Sequence, residues 1–420
     1  IQKATTDIAN PGLKPEQRAP FEQALAGGYT AINEAAQSFE RKAEEFKAPF
    51  PQLESRARLY YESAWAYRTI ADREVALTRT KLQEDQHKKL VDDAKAKTPM
   101  GATPPTIPLP VIVRSAVPLQ PAETKMRAMY TALIAGYPEL IIGVEARFEL
   151  AECMVERAEL DEAVKLLKAA LDVEPTNGNP PVDLVEKVRI RLGACLVEKK
   201  EYEAALTQFD VVAQNLKSPL IGQAQYRAGE CLLEMKDLNR AIERFAVFRD
   251  KGEFHNIPGV SDRALLRLGQ ALTKAEKWEP ARQAFEVLVN RFGNSPWVHE
   301  ARYGIGWAFQ NQKQYDQAVN AYALVIQNTA SELAAKAHLQ TGLCRLEQKR
   351  YPEAANALLV VPFTFDFPEL NPIALTEAAR AFAENKQTDQ AEKLLRRVIK
   401  DSPNSTWAKV AKERLDVLVK

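Results

Sequence analysis

Cysteine and glycine are scarce in this 420-residue sequence, at 4 and 17 residues. So few cysteines cannot supply a disulfide framework for a chain of this length. No apolar run approaches the roughly 18 residues that span a bilayer as a helix. Neither sign of charge dominates: 57 Lys and Arg against 56 Asp and Glu leave a formal net charge of +1, so no global field favours nucleic acid or an anionic membrane surface. The Val, Ile and Thr alternation of strands is nearly absent, which points to an all-helical fold. The histidines, His87, His255, His299 and His338, are scattered with no partner at metal-ligand spacing. Nucleophile elbow, phosphate loop and His-Glu-x-x-His motifs are missing. No catalytic constellation, metal or cofactor is expected. The chain opens Ile1-Gln2-Lys3 rather than with Met, which reads as a processed or trimmed start; a removed signal peptide would leave the same sequence.

Helical period is what the chain has in abundance. Residues 298–327 read as two short amphipathic helices around a polar turn. Ala301, Ile305, Ala308 and Phe309 form one apolar stripe, Tyr315, Ala318, Tyr322 and Val325 the other, and Gln312, Lys313 and Gln314 carry no period. Gly306 and Ala318 are small residues that let the two helices approach closely. The pattern recurs. Aligned on the small residue of the first helix, the units fall at Ala151, Gly193, Gly229, Gly269, Gly306, Gly342 and Ala379, at intervals of 42, 36, 40, 37, 36 and 37. Twelve residues on stand Ala163, Ala205, Ala241, Ala281, Ala318, Ala354 and Ala391. Four further stand Leu167, Phe209, Phe245, Phe285, Tyr322, Leu358 and Leu395. A repeat of this period means a solenoid, in which each hairpin buries its outer face on its neighbours. Cys153, Cys195, Cys231 and Cys344 share one slot, two after the small residue, where the other units have Ala271, Ala308 and Ala381. They are expected to be buried small side chains rather than ligands or disulfide partners.

Before residue 141 the register is looser. Residues 1–20 carry Pro11, Pro15 and Pro20 and read as a lead-in with short helix at most. A helical period from Phe21 to Phe46 is interrupted by Gly27-Gly28. Residues 53–97 read as one long helix, packed along its Tyr- and Trp-bearing first half and solvated along its charged second half. Seven prolines break residues 98–121, which read as an extended, mobile insertion; the alternative is that Val111-Ile112-Val113 docks on a groove or adds a short strand. Helix resumes at Ala122 and ends at Pro138. Met126, Tyr130, Leu133 and Ile134 repeat the spacing of Ala318, Tyr322, Val325 and Ile326, so the helices beginning at Leu53 and Ala122 are expected to form one unit around the insertion.

These residues resemble the tetratricopeptide repeat (TPR) family. Leu192-Gly193, Leu268-Gly269 and Ile305-Gly306 match its Leu-Gly pair, Pro175 and Pro403 its closing Pro, and Tyr202, Trp278, Tyr315 and Tyr351 its aromatic turn position. The family's early Trp is missing; Arg147, Arg189, Gln225, Leu265, Arg302, His338 and Leu375 stand there. The Gly342 unit has Arg345 where Tyr is usual, so that helix is expected to pack irregularly. The joints at residues 291–308 and 401–415 look like those of bacterial cell-envelope TPR proteins, of the outer-membrane assembly lipoprotein and Tol–Pal coordinator types. In them Asn294-Ser295 or Asn404-Ser405 can cap the helix that follows, and Pro296 suits its first turn. The resemblance implies an all-α fold, a right-handed superhelical solenoid of TPR helix–turn–helix repeats with an atypical N-terminal helical region. Three regions are expected. Residues 1–140 form the N-terminal helical region, with the long helix 53–97 and the Pro-rich insertion 98–121. Residues 141–403 form seven TPR units, and 404–420 a C-terminal capping helix.

In TPR proteins the first helix of each unit lines the concave surface. The resemblance makes the slots six and three before the small residue, and the one just after it, ligand-facing. Three before stand Phe148, Ile190, Tyr226, Leu266, Tyr303, Leu339 and Thr376; just after adds Trp307, and six before adds Arg263. Two before, beside the groove, stand Arg191, Arg227 and Arg267. The candidate partner-binding groove is therefore Phe148, Ile190, Tyr226, Arg227, Arg263, Leu266, Arg267, Tyr303 and Trp307. An apolar, aromatic ribbon flanked by Arg suits an extended or helical peptide with acidic groups. The competing reading is that the ribbon packs on neighbouring first helices while the Arg pair with Glu152, Glu198, Glu230 and Glu234. A chaperone-type carboxylate clamp is not matched, because it needs Lys in the ribbon slot and Asn just after the small residue.

The expected function is a non-enzymatic scaffold that holds a protein or peptide partner in its groove. It is expected to be periplasmic or cell-envelope associated, compatible with a membrane-associated complex, and without nucleic acid or a small-molecule substrate as ligand. The alternative is a structural subunit of a larger assembly that touches its neighbours through convex faces and the Pro-rich insertion. Buried thiols are compatible with a cytoplasmic protein too.

Overall fold

The computed structural model describes residues 15–46, 54–99, 103, 105–365 and 367–419. The lead-in through residue 14 and Leu53 lie outside them. Among the described residues the regular elements are all helical. The chain divides into two compact units, residues 1–212 and 213–420. The first holds α1 (Pro15–Glu45), α2 (Glu54–Lys97), α3 (Pro121–Gly136), α4 (Ile141–Glu156), α5 (Leu160–Asp172), α6 (Val182–Glu198) and α7 (Tyr202–Gln214), whose last turn crosses the division. The second holds α8 (Ile221–Glu234), α9 (Leu238–Asp250), α10 (Ser261–Lys274), α11 (Trp278–Arg291), α12 (Val298–Asn311), α13 (Tyr315–Ile326), α14 (Glu332–Glu347), α15 (Tyr351–Thr364), α16 (Asn371–Glu384), α17 (Thr388–Asp401) and α18 (Thr406–Leu418).

Each unit is a solenoid of stacked helices. In the second, every helix packs on the next along the chain, and the first helices α8, α10, α12, α14 and α16 also touch one another in succession. That direct contact puts the first helices on the inner side of the stack. The residues that set the repeat in sequence are those that close the hairpins. Ala163, Ala205, Ala241, Ala281, Ala318, Ala354 and Ala391 are fully buried, and so are the large residues four positions on, from Leu167 to Leu395. The glycines answer the rings opposite. A Cβ at Gly193 would lie 2.5 Å from Phe209, at Gly229 2.6 Å from Phe245, at Gly269 2.3 Å from Phe285 and at Gly306 2.6 Å from Tyr322. A methyl group at any of these would push the two helices apart.

The turns between paired helices repeat as faithfully. Ala158, Lys200, Lys236, Glu276, Lys313, Lys349 and Lys386 all adopt the left-handed conformation, with φ between 55° and 63°. Each stands seven residues after the small residue of its unit. The residue that follows donates its N–H to a carbonyl five positions back, as from Asp237 to Leu232 at 2.9 Å and from Gln314 to Phe309 at 2.9 Å. These are Schellman C-caps, which satisfy carbonyls that a helix end leaves without partners. Arg345 does not disturb its helix. Its guanidinium reaches Asp316 at 2.8 Å, and the turn after it closes as in the other units, Arg350 N–H to Arg345 O at 2.8 Å.

Three local expectations are corrected. Gly27-Gly28 does not interrupt α1, which runs continuously from Pro15 to Glu45; packing along α2 offsets the roughly 1 kcal/mol that a helical Gly costs. Ser405 caps α18, accepting from Ala408 N–H at 3.1 Å, but Ser295 does not cap α12. Ser295 instead accepts from Trp297 N–H and donates to Asp262, and Pro296 falls outside the helix, which begins at Val298. The described part of the Pro-rich insertion is docked rather than loose. Ile112 and Val117 are buried against Val75 and Leu82 of α2. Gln83 donates to the Pro110 carbonyl at 3.0 Å. No strand forms among the described residues of the segment; a short 3-10 turn at Arg114–Ala116 leads into α3.

A buried ion cluster fastens this strap. Glu123 of α3 is fully buried and receives the Arg157 guanidinium in a two-pronged contact, Nε to Oε1 at 2.6 Å and Nη2 to Oε2 at 2.5 Å. Arg157 also donates to the carbonyls of Val117 and Pro118. Burial by itself would raise the Glu123 carboxyl, but the Arg157 guanidinium, with Arg114 and Arg127 nearby, outweighs it and holds the carboxyl below its ordinary value. The four cysteines are buried thiols. Burial pushes those of Cys153 and Cys344 up to about 12 and that of Cys195 up to about 11, which leaves them protonated and unreactive at neutral pH.

Candidate partner-binding face

The inner face of the second unit is built by the exposed side of α8, α10, α12 and α14. Along the slot three before the small residue, Tyr226 keeps 9% of its surface and Leu266 7%, while Leu339 and Thr376 are buried as well. The Tyr226 ring packs on Phe245 at 5.9 Å and the Tyr303 ring on Tyr322 at 5.4 Å, centroid to centroid. Much of the ribbon thus closes each hairpin and offers little surface to a ligand. Phe148 and Ile190 are half-buried and belong to the first unit.

Tyr303 and Trp307 behave differently. Both are half-buried, and together they line a cleft of about 500 Å³. Its remaining walls are Gln270, Thr273 and Lys274 of α10, Phe285 of α11, Glu300 and Gly304 of α12, and Leu333 and Lys336 of α14. The cleft therefore spans three consecutive first helices. Gly304 matters to it: a Cβ there would lie 2.4 Å from Phe285, so α11 and α12 can only meet this closely with Gly at that position. Burial pushes the Tyr303 hydroxyl up to about 12. One carboxylate oxygen of Glu300 is buried with no hydrogen-bond partner among the described residues. Sequence reasoning singled out neither Gly304 nor Glu300, since no period marks them.

The arginines separate into two kinds. Arg191 donates to Glu152 at 2.6 Å, and Arg267 pairs with Glu230 at 2.9 Å, as the competing reading expects. Arg227 and Arg263 are exposed and make no ion pair among the described residues. They line a second, smaller cleft of about 270 Å³ with Gln223, Tyr226, Glu230, Gly259 and Val260. The guanidinium of Arg263 stands 5.8 Å from the ring centre of Tyr226 and 6.0 Å from that of Trp297, at the limit of cation–π reach. Burial, with the Glu230 carboxylate close by, pushes the Tyr226 hydroxyl up. Among the described residues no cluster of His, Cys, Asp and Glu could hold a metal ion, and no helix is long and apolar enough to cross a membrane.

An array of paired helices closed by these turns, with open clefts along its first helices, is a TPR-type protein–protein interaction scaffold. Residues 223–251 match the tetratricopeptide repeat profile. Residues 259–420, well under half of the chain, match the profile of the YfiO family, described as an outer membrane lipoprotein. The chain is thus a TPR-repeat protein related to that family over its C-terminal segment. Among solved structures, a tetratricopeptide repeat protein from Parabacteroides merdae is 16% identical, covering 66% of this chain and 99% of its own at a TM-score of 0.42. The C-terminal part of a TPR repeat-containing protein from Cytophaga hutchinsonii is 13% identical, covering 63% and 98% at 0.49. No curated protein sequence matches the chain.

Proposed function

We propose that the chain is a non-enzymatic scaffold that takes a segment of a protein partner into the inner face of its second unit, in a bacterial cell envelope. The observation that carries the groove is the cleft at Tyr303 and Trp307. Two aromatic side chains remain half-open there, although Tyr226, Leu266, Leu339 and Thr376, which share the Tyr303 slot in the second unit, are buried. They stand beside a Glu300 oxygen without a donor among the described residues. An aromatic-walled cleft of this size, with one polar group waiting, suits an apolar side chain flanked by a backbone or side-chain N–H. The envelope setting is supported by the similarity of residues 259–420 to an outer membrane lipoprotein family and by the form of the joints at 291–308 and 401–415.

Replacing Tyr303 and Trp307 together by Ala should abolish partner capture from an envelope extract of the source cell, while the helical circular dichroism persists. Capture that survives the double substitution would overturn the groove. A second reading is favoured by one observation, the apolar row that the docked insertion turns outward: Leu109, Val111 and Val113 are exposed, Val111 at 86%. On that reading the chain is a subunit of a larger assembly and the strap is a contact.

A further inference from the structure

We propose that Arg227 and Arg263 form a carboxylate-binding site, and that the segment held on the inner face of the second unit carries an acidic side chain there. This deepens the groove reading and rests on it. Three arginines share the slot two before the small residue, and two of them are already neutralised. Arg191 and Arg267 meet Glu152 and Glu230, each one residue after the small residue of the preceding unit. In sequence register that slot before Arg227 holds Ala194. Arg227 makes no ion pair among the described residues, and its side chain is exposed.

Arg263 makes no ion pair either. It stands between the rings of Tyr226 and Trp297, and its neighbour Asp262 is occupied by the Arg263 backbone N–H and the Ser295 hydroxyl. The one carboxylate among the residues lining the cleft, Glu230, is taken by Arg267. The cleft thus keeps two guanidinium groups with no ion pair among the described residues, one of them at the edge of cation–π reach of two rings. Guanidinium groups match a carboxylate with paired N–H donors. A lipid phosphate would suit the same donors, but the cleft lies on the inner side of the stack, between first helices. A chain segment enters there and a bilayer surface does not.

The test selects a random 12-residue peptide library displayed on phage against the full chain, and against Arg227→Gln/Arg263→Gln. Both positions are exposed, and unchanged helical circular dichroism confirms the fold of the variant. The expected result is enrichment of Asp and Glu on the wild type that disappears on the variant. Synthetic copies of the selected peptides should bind the variant about tenfold more weakly, the loss expected for one charge-assisted contact. Selection without acidic enrichment, or enrichment that survives the double substitution, overturns the proposal. So does binding of phosphatidylglycerol vesicles, or of inorganic phosphate, that needs both arginines while no acidic peptide is selected. A parallel selection on Trp307→Ala separates the two readings. Acidic enrichment that persists there with undiminished affinity sinks the Trp307 groove and leaves the arginine site standing.

Discussion

Gly193, Gly229, Gly269 and Gly306 each face an aromatic ring at a distance that leaves no room for a methyl group. Of the three units where the register puts Leu in place of that ring, two have Ala151 and Ala379 as the small residue, while Gly342 faces Leu358. Every ring thus faces a glycine, and that pairing yields a test. Gly193→Ala should cost about 1–3 kcal/mol, the usual penalty of overpacking a core, in urea denaturation followed by circular dichroism. Adding Phe209→Leu should recover part of that loss, reproducing the native Ala–Leu combination. Costs that simply add would show that ring and glycine do not answer each other. At this scale the sequence was legible where a residue recurs at fixed register. It was not legible for Arg191, Arg227 and Arg267, which look alike in sequence. Their difference lies in whether a carboxylate from another helix reaches them, and that is settled by neighbours some 40 residues away.

The hairpin is the element the sequence announced most clearly, because the 3.6-residue period, the small residue and the large partner all agree on it. Its turn was not readable. Five of the seven left-handed positions are Lys and none is Gly, although Gly adopts this conformation without the roughly 1–2 kcal/mol that other residues incur; nothing in the structure explains the preference for Lys. The insertion was the least legible element. Proline content shows that residues 98–121 are not helix, yet it cannot show that Arg157, 34 residues beyond Glu123, would clamp the strap through a buried pair. Removing one partner of such a pair strands the other. Glu123→Gln should therefore lower stability at pH 7 by about 3–5 kcal/mol. The sign with pH follows from the lowered carboxyl. Its stabilisation is complete above the unfolded-state value near 4.5 and fades as pH falls through the lower folded-state value. Thermal melts of wild type and variant should thus differ most at neutral pH and converge in acid. A constant gap across that range would contradict the assignment.

At the level of the molecule, the two proposed readings put the partner on different surfaces, the clefts of the second unit or the apolar row on the strap of the first. They make different demands on assembly. If Leu109, Val111 and Val113 join copies or neighbouring subunits, changing all three to Ser should lower the mass measured by light scattering, while Ile112 and Val117 keep the strap in place. An unchanged mass would remove the subunit reading and leave the groove scaffold.

By itself the sequence determined the repeat: seven helical hairpins in register, buried cysteines in a small-residue slot and an all-α solenoid. Each of these rests on spacing along one chain, and local period carries that information. Only the tertiary structure decided which members of the candidate groove are open. Tyr226 and Leu266 are consumed by packing, Tyr303 and Trp307 stay half-exposed, Arg267 is neutralised and Arg227 is not. The reason is physical. Exposure and charge compensation belong to pairs of residues on different helices, and a slot's register says where a side chain starts but not what it meets.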